Sequence, residues 1–145
     1  MNLLTGEIAN NIQRTIINPT IKKDYGDAIH QINLIQRELY TNIPENLRIS
    51  YGRVYTVKVL AEYLFQNLVE QDAPVLDIAT NIYEKSLEGL TKGVALGILS
   101  FYGLGNYEPV IPFFESAAAA DNWDVRELAQ MFFRKLIKKY PGEAK

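Results

Sequence analysis

Four residues near the C-terminal end have types and spacing suited to holding nucleic acid: Trp123, Arg126, Arg134 and Lys138. An indole on an exposed surface can stack on a sugar or on an extruded base. Guanidinium and ammonium groups one helical turn apart, as in Arg134 and Lys138, can track phosphates. Each also has a purely structural reading. Trp123 at a helix start can pack on the preceding helix, against Phe114. Arg126 can tie a turn together through Asp121 or Asp124. Arg134, Lys135, Lys138 and Lys139 can simply complement the negative end of a helix macrodipole.

Elsewhere, chemistry-bearing residues are sparse. The chain has no cysteine and a single histidine, His30. Disulfides, thiolate metal sites, iron–sulfur clusters and cysteine nucleophiles are therefore excluded, and so are multi-histidine metal sites. His30 lies between Ile29 and Gln31 with no partner motif, as a surface or core-edge residue would. Glu38 with Glu45, or Asp24 with Asp27, can be drawn as acid pairs, but nothing in their setting points to a raised pKa. Gly103-Leu104-Gly105 precedes no lysine and follows no strand, so it reads as a helix C-cap and not as a phosphate loop. No cofactor is expected.

The charge balance bears on the partner. Fifteen Lys and Arg against 17 Asp and Glu give a net of −2, and the pI of about 5.4 argues against a generally basic nucleic-acid binder. The basic end is the C-terminal one. From Asp121 onwards, Arg126, Arg134, Lys135, Lys138, Lys139 and Lys145 outnumber Asp121, Asp124, Glu127 and Glu143. Met1-Asn2-Leu3-Leu4 lacks a charged n-region and a long apolar run, so neither a signal peptide nor a membrane span is expected, and the localisation expected is cytoplasmic.

The elements that position these residues read as helices throughout. At 145 residues the chain reads as one domain, long enough to bury a core without staples. Leu4, Ile8, Ile12 and Ile16 follow a Thr5 cap, with Pro19 as the expected stop. A second helix is expected from Asp24 to Tyr40, with Ala28, Ile29, Ile32, Ile35 and Leu39 as its stripe. The third runs from about Ser50 to Gln71, with Val54, Val57, Leu60, Ala61, Leu64 and Leu68 on one face. Tyr51, Tyr55, Lys58, Glu62 and Tyr63 line its other face, either as an interaction surface or as half-buried packing. Asp72-Ala73-Pro74 reads as a cap and proline opening a fourth helix that ends near Lys85. Three more cover Thr91 to Tyr102, Glu108 to Ala120, and Asn122 to Tyr140. No segment alternates with a period of two, so the fold class expected is all-α.

Loops of two to six residues between such helices imply antiparallel neighbours. Val75-Leu76 matches Val110-Ile111, and Val94-Ala95 matches Leu128-Ala129, an offset of about 34–35 residues that falls in the range of helical repeats. The expected organisation is a single helical-repeat domain over 1–145, with N-terminal helices in 1–72 and repeats in 73–105 and 106–141.

Pro109-Val110-Ile111-Pro112-Phe113-Phe114, then Ala117 to Ala120, then Asp121-Asn122-Trp123-Asp124-Val125-Arg126-Glu127-Leu128-Ala129, resembles a HEAT repeat, an armadillo-like unit. In that pattern a proline-containing apolar helix leads through an acidic turn into Asp-x-x-Val-Arg-x-x-Ala. Val125, Leu128, Ala129, Phe132, Phe133, Leu136 and Ile137 make the apolar stripe of the second helix. Asp121 or Asn122 caps that helix. With Phe-Phe-Arg-Lys-Leu-Ile-Lys-Lys-Tyr-Pro following, the segment is similar to HEAT-like proteins related to DNA alkylation repair glycosylases.

The resemblance covers about Val75 to Lys145 and is most specific from Asp121 to Pro141. It implies an α-α superhelix, or solenoid, whose basic concave face holds alkylated duplex DNA. In an active enzyme of this kind, a carboxylate stabilises positive charge on the sugar as the glycosidic bond breaks. Glu127 or Asp124, beside Trp123, would have to fill that role, and no catalytic residue is assigned. The family's enzymes carry an aspartate four residues after the tryptophan, where Glu127 stands here. Members are also longer, so the chain reads as an N-terminal piece.

Two functions follow. One is a DNA-binding repeat protein for DNA repair, acting as a glycosylase if it is an enzyme at all. The other is a non-catalytic HEAT-type scaffold for a protein partner. Convergence of Arg53, Lys58, Lys92, Arg126, Arg134 and Lys138 on one surface would favour the first. Neither reading requires a membrane or a metal. Phe113, Leu128, Ala129, Phe132 and Leu136 are expected to be deeply buried, and a flank of the last helix with Phe133 and Ile137 or Tyr140 is expected to be uncovered.

Overall fold

A computed structural model describes residues 3–139, the side chains of residues 49–51 excepted. Among the described residues all regular structure is helical, as the periodicity predicts. The elements are α1 (Gly6–Ile12), a π-helical turn (Gln13–Ile17), α2 (Asn18–Ile21), α3 (Tyr25–Asn42), α4 (Arg48–Glu70), α5 (Val75–Lys85), α6 (Gly89–Gly103), α7 (Ile111–Ala118) and α8 (Trp123–Lys139). Short 3₁₀ turns precede α4 (Glu45–Leu47) and α7 (Glu108–Val110). No helix among the described residues is long and apolar enough to cross a membrane.

The helix ends show where local chemistry decides and where it is overruled. Thr5 caps α1, its hydroxyl accepting from the Ile8 N–H at 3.4 Å. Pro19 does not stop the helix. The chain stays helical through α2, because the π-helical turn widens the ladder just ahead of the proline and relieves the collision between its ring and the carbonyl four residues back. Termination comes at Lys23, with φ of 64°. There the Asp24 N–H bonds the Pro19 carbonyl and the Lys23 N–H bonds that of Thr20, a Schellman closure. Asp72, with φ of 53°, closes α4 by the same pair of bonds, from Ala73 to Leu68 and from Asp72 to Val69. Asp72 therefore ends one helix and does not cap the next; Pro74 holds the N-cap position of α5.

The centre of the molecule is α6. It is apolar on nearly every side, the signature of a helix buried all round, and it packs against α4, α5, α8 and α3. Its glycines set the spacing. A β-carbon on Gly93 would meet Leu128 on one side and Val57 on the other; on Gly97 it would meet Phe132 and Ala61. Residue numbers rise together along all three helices, so α4, α6 and α8 run parallel, side by side. Across the short turns α6 doubles back on α5, where Lys92 Nζ donates to the Tyr83 carbonyl at 2.5 Å. Helix α8 doubles back on α7, where Phe114 and Phe133 stack at 5.7 Å.

The apolar stripes fall where expected, with exceptions that have a physical cause. Ala28, Ile32, Ile35 and Leu39 of α3 are buried and Ile29 is half-buried; Val57, Leu60, Ala61, Leu64 and Leu68 of α4 are buried, while Val54 is exposed. Gly52, at φ 56° and ψ −161°, breaks the helical path just before Val54 and turns the start of α4 away from the core stripe. Leu128, Ala129, Phe132 and Leu136 are buried. Phe113 is only half-buried, and Phe114 occupies the core in its place. The tighter 3₁₀ turn at Glu108–Val110 shifts the rotational phase with which α7 begins. Phe113 lies edge-on to Tyr83 instead, at 6.2 Å.

Candidate functional site

Helix α8 carries the residues singled out for nucleic acid. Asn122 caps it, accepting from the Val125 N–H at 3.2 Å. The same side chain lies against Gly89, where a β-carbon would come within 2.6 Å of Asn122 Oδ1. The start of α8 is thereby fixed against the start of α6. With the buried stripe Leu128–Phe132–Leu136 facing α6, residues 123, 127, 130, 134 and 138 share the opposite face. All five are exposed, Trp123 at 63%. Trp123 does not pack on Phe114, whose ring is taken by Phe133. Ile137, at 36%, is exposed and Phe133 half-buried, while Tyr140 lies outside the described residues.

The structure separates Arg126 from this group. Its Nη1 donates to the Ala120 carbonyl at 2.7 Å and to the Asp121 carbonyl at 2.9 Å. The guanidinium thus saturates the α7–α8 turn, which otherwise ends in unpaired carbonyls. Asp121 and Asp124 take no part through their side chains. Trp123, Arg134 and Lys138 stand along one stripe, with Glu127 and Gln130 between them.

The other cations divide among several surfaces. Lys92 is committed to α5, donating to the Tyr83 carbonyl and standing 4.5 Å from the centre of the Tyr83 ring. Desolvation lowers its pKa, opposed by Glu84. Lys58, on α4, is electrostatically coupled to Lys135, on α8. Lys135 lies over the rings of Phe101 and Phe132, at 5.4 and 5.7 Å. Burial lowers its pKa first and Lys58 second, while Glu62 raises it. Phe101 in turn stacks on Phe65 of α4 at 5.7 Å. Arg53 lies apart from these, in a cavity beside α3.

No family model matches this chain, and neither a curated protein nor a solved structure matches it.

The geometry offers mixed-sign, partly aromatic surfaces. Among the described residues no group of histidine, aspartate and glutamate is placed to hold a metal ion. The Lys58–Glu62–Lys135 grouping over Phe65 and Phe101 is not legible as a site in the sequence, because its members come from three helices. A second feature missed there had a visible signal. Gln36 is an amide within the apolar run of α3, between Ile32, Ile35 and Leu39, and it is buried at 4% exposure.

Proposed function

We propose that the chain is a non-catalytic scaffold of stacked helical hairpins that binds another protein. The pairs α3–α4, α5–α6 and α7–α8 form the stack, in the manner of HEAT repeats, with α4, α6 and α8 as the second helices. The observation that carries the reading is the fate of the six cations expected to converge. Arg126 and Lys92 are spent on main-chain carbonyls within the fold. Lys58 shares its surface with Glu62 and the partly desolvated Lys135. A phosphate track needs accessible cations of one sign along one face, whereas mixed charge around aromatic rings suits a protein surface.

A second reading has one observation in its favour. Trp123 is exposed on the same stripe as Arg134 and Lys138, which suits duplex DNA of the kind held by alkylation repair proteins. Glu127, one turn from Trp123, or Asp124 beside it would then have to supply the carboxylate.

Duplex binding at two salt concentrations separates the two, using DNA with and without an alkylated base. For the scaffold, affinity at physiological salt should be no better than the non-specific range of about 10⁻⁴–10⁻⁶ M, indifferent to the lesion and to alanine at Arg134 and Lys138. Tight, lesion-dependent binding with a steep salt slope that flattens in Arg134→Ala/Lys138→Ala would overturn the scaffold reading and restore the DNA one.

A further inference from the structure

One face of α3 is bordered by two cavities of about 360 and 350 Å³. They follow one another along the helix, from Gly26 through Ile29, Asn33 and Gln36 to Tyr40 and Thr41. Both are walled on the far side by the α5–α6 turn and the start of α6, and the first also by Arg53 and Thr56 of α4. Where they meet, Asn33 Nδ2 donates to Glu88 Oε1 at 3.1 Å, and both residues line both cavities. The two cavities are therefore one groove with a polar tie at its middle.

The two ends differ in chemistry. At the C-terminal end of α3 the groove is lined by Arg37 and Arg53. Both are exposed, and among the described residues neither guanidinium has a hydrogen bond or an ion pair. At the other end it is lined by Ile29 and Leu87, and Leu87 is 94% exposed. Leu87 and the half-buried Ile29 give this end an apolar lining.

The walls also hold unpartnered polar atoms. Gln36 is 4% exposed and Thr91 1%. Gln36 Nε2 donates to the Leu90 carbonyl at 3.4 Å, but among the described residues its Oε1 has no partner, and neither has Thr91 Oγ1. One lines each cavity. A buried polar atom without a partner is costly unless a partner arrives. An acceptor and a hydroxyl at successive points along a groove match the alternating N–H and carbonyl groups of an extended main chain.

We infer that this groove binds an extended peptide segment of a partner protein, with carboxylate side chains at the Arg37–Arg53 end and a leucine-sized apolar side chain at the Ile29–Leu87 end. From Gly26 to Thr41 the helix rises about 22 Å at 1.5 Å per residue. An extended chain at about 3.3 Å per residue spans that with about seven residues. Gln36 Oε1 accepts a main-chain N–H of the segment, and Thr91 Oγ1 pairs with a second main-chain group, each after a side-chain rotation. Acidic peptide is favoured because three cations, Arg37, Arg53 and Lys85, line the groove against the one carboxylate of Glu88. The proposal rests on the scaffold reading and gives it a place and a partner chemistry.

The test is fluorescence anisotropy of the full chain with labelled heptapeptides, Leu-Leu-Ser-Ala-Ser-Glu-Glu and its reversed sequence, with amide NMR to map the footprint. Saturable binding of one of the two is expected, with shifts along α3, at the α5–α6 turn and at Arg53–Thr56 of α4. Arg37→Glu/Arg53→Glu should weaken it by about tenfold or more, from two ion pairs lost and reversed. Leu87→Asp should weaken it as well, and neither variant should move the thermal melt, since these side chains hold nothing within the fold. Failure of both peptides to bind saturably, or equal binding by the arginine variant, overturns the groove. A footprint on α8 and the Lys58–Glu62 stretch of α4, with none on α3, also overturns it but leaves the scaffold reading standing. Displacement of the peptide by duplex DNA, with DNA affinity lost in the arginine variant, overturns both. The footprint on the unmodified chain decides the matter even if a variant fails to fold.

Discussion

Gly97 on α6 and Ala61 on α4 are so close that a β-carbon on Gly97 would stand 2.5 Å from that of Ala61, and 2.9 Å from Cζ of Phe132 on the opposite side. Two parallel helices thus clamp α6 at a position where only hydrogen fits. The ring of Phe132 can move; the β-carbon of Ala61 moves only with its backbone. Glycine within a helix ordinarily costs about 1 kcal/mol against alanine. Here overpacking outweighs that gain. Gly97→Ala should destabilise by about 1–3 kcal/mol in urea titration. Adding Ala61→Gly should recover most of the loss, since it removes the immovable partner. Stabilisation by Gly97→Ala alone would show that the three helices are not held at this spacing.

Phe132 is wholly buried against α6. Phe132→Ala should cost about 3–5 kcal/mol, the range for a large aromatic removed from a core that cannot collapse around the space. Phe113→Ala should cost clearly less, because Phe113 sits at the edge of the core. Equal losses for the two would contradict the observed phase of α7.

Arg126 serves the turn before α8. Arg126→Met keeps the aliphatic stem and removes both donors. Its expected cost is about 1–2 kcal/mol, from charge-assisted bonds to carbonyls that water can partly replace. Arg134→Ala and Lys138→Ala should stay within about 0.5 kcal/mol of the parent chain, as exposed positions do. Chemical denaturation of the three variants decides whether Arg126 is structural. A stability unchanged by Arg126→Met would return it to the surface cations.

Lys92 and Lys135 both have pKa values lowered by burial. Below the ordinary lysine value of 10.5, the unfolded chain therefore binds more protons at these sites than the folded one. Their contribution makes stability rise with pH through the window between the lowered folded values and 10.5, and it is lost as pH falls through the folded values. Tyr25 and Tyr83 act in the opposite sense, because burial raises their pKa above 10.0. Their stabilisation is present below 10.0 and lost at higher pH. Lys92→Met/Lys135→Met should flatten the alkaline rise, leaving only the fall due to the tyrosines. Urea midpoints measured from neutral pH upwards for parent and variant test this, and parallel curves would contradict it.

Much of the fold is legible in the residue order because helix periodicity is a local property. The stripes Ala28–Ile32–Ile35–Leu39 and Val57–Leu60–Ala61–Leu64–Leu68 announce their helices and buried faces, and Thr5 and Asn122 cap where a hydroxyl or amide reaches the first free N–H groups. What the order could not supply is how one face meets another. Pro19 is a stop signal by itself, yet a π-helical turn upstream lets the helix pass through it. Phe113 and Phe114 are adjacent and equally apolar, and only the 3₁₀ entry to α7 selects Phe114 for the core. Arg126 looks like any helical cation until the turn carbonyls close around it. The groove along α3 exists because the α5–α6 turn lies across from Asn33 and Gln36, more than 50 positions away in the chain. Local propensities fix which segments coil and which side is apolar; packing between distant segments fixes which polar groups are consumed and which remain for a partner.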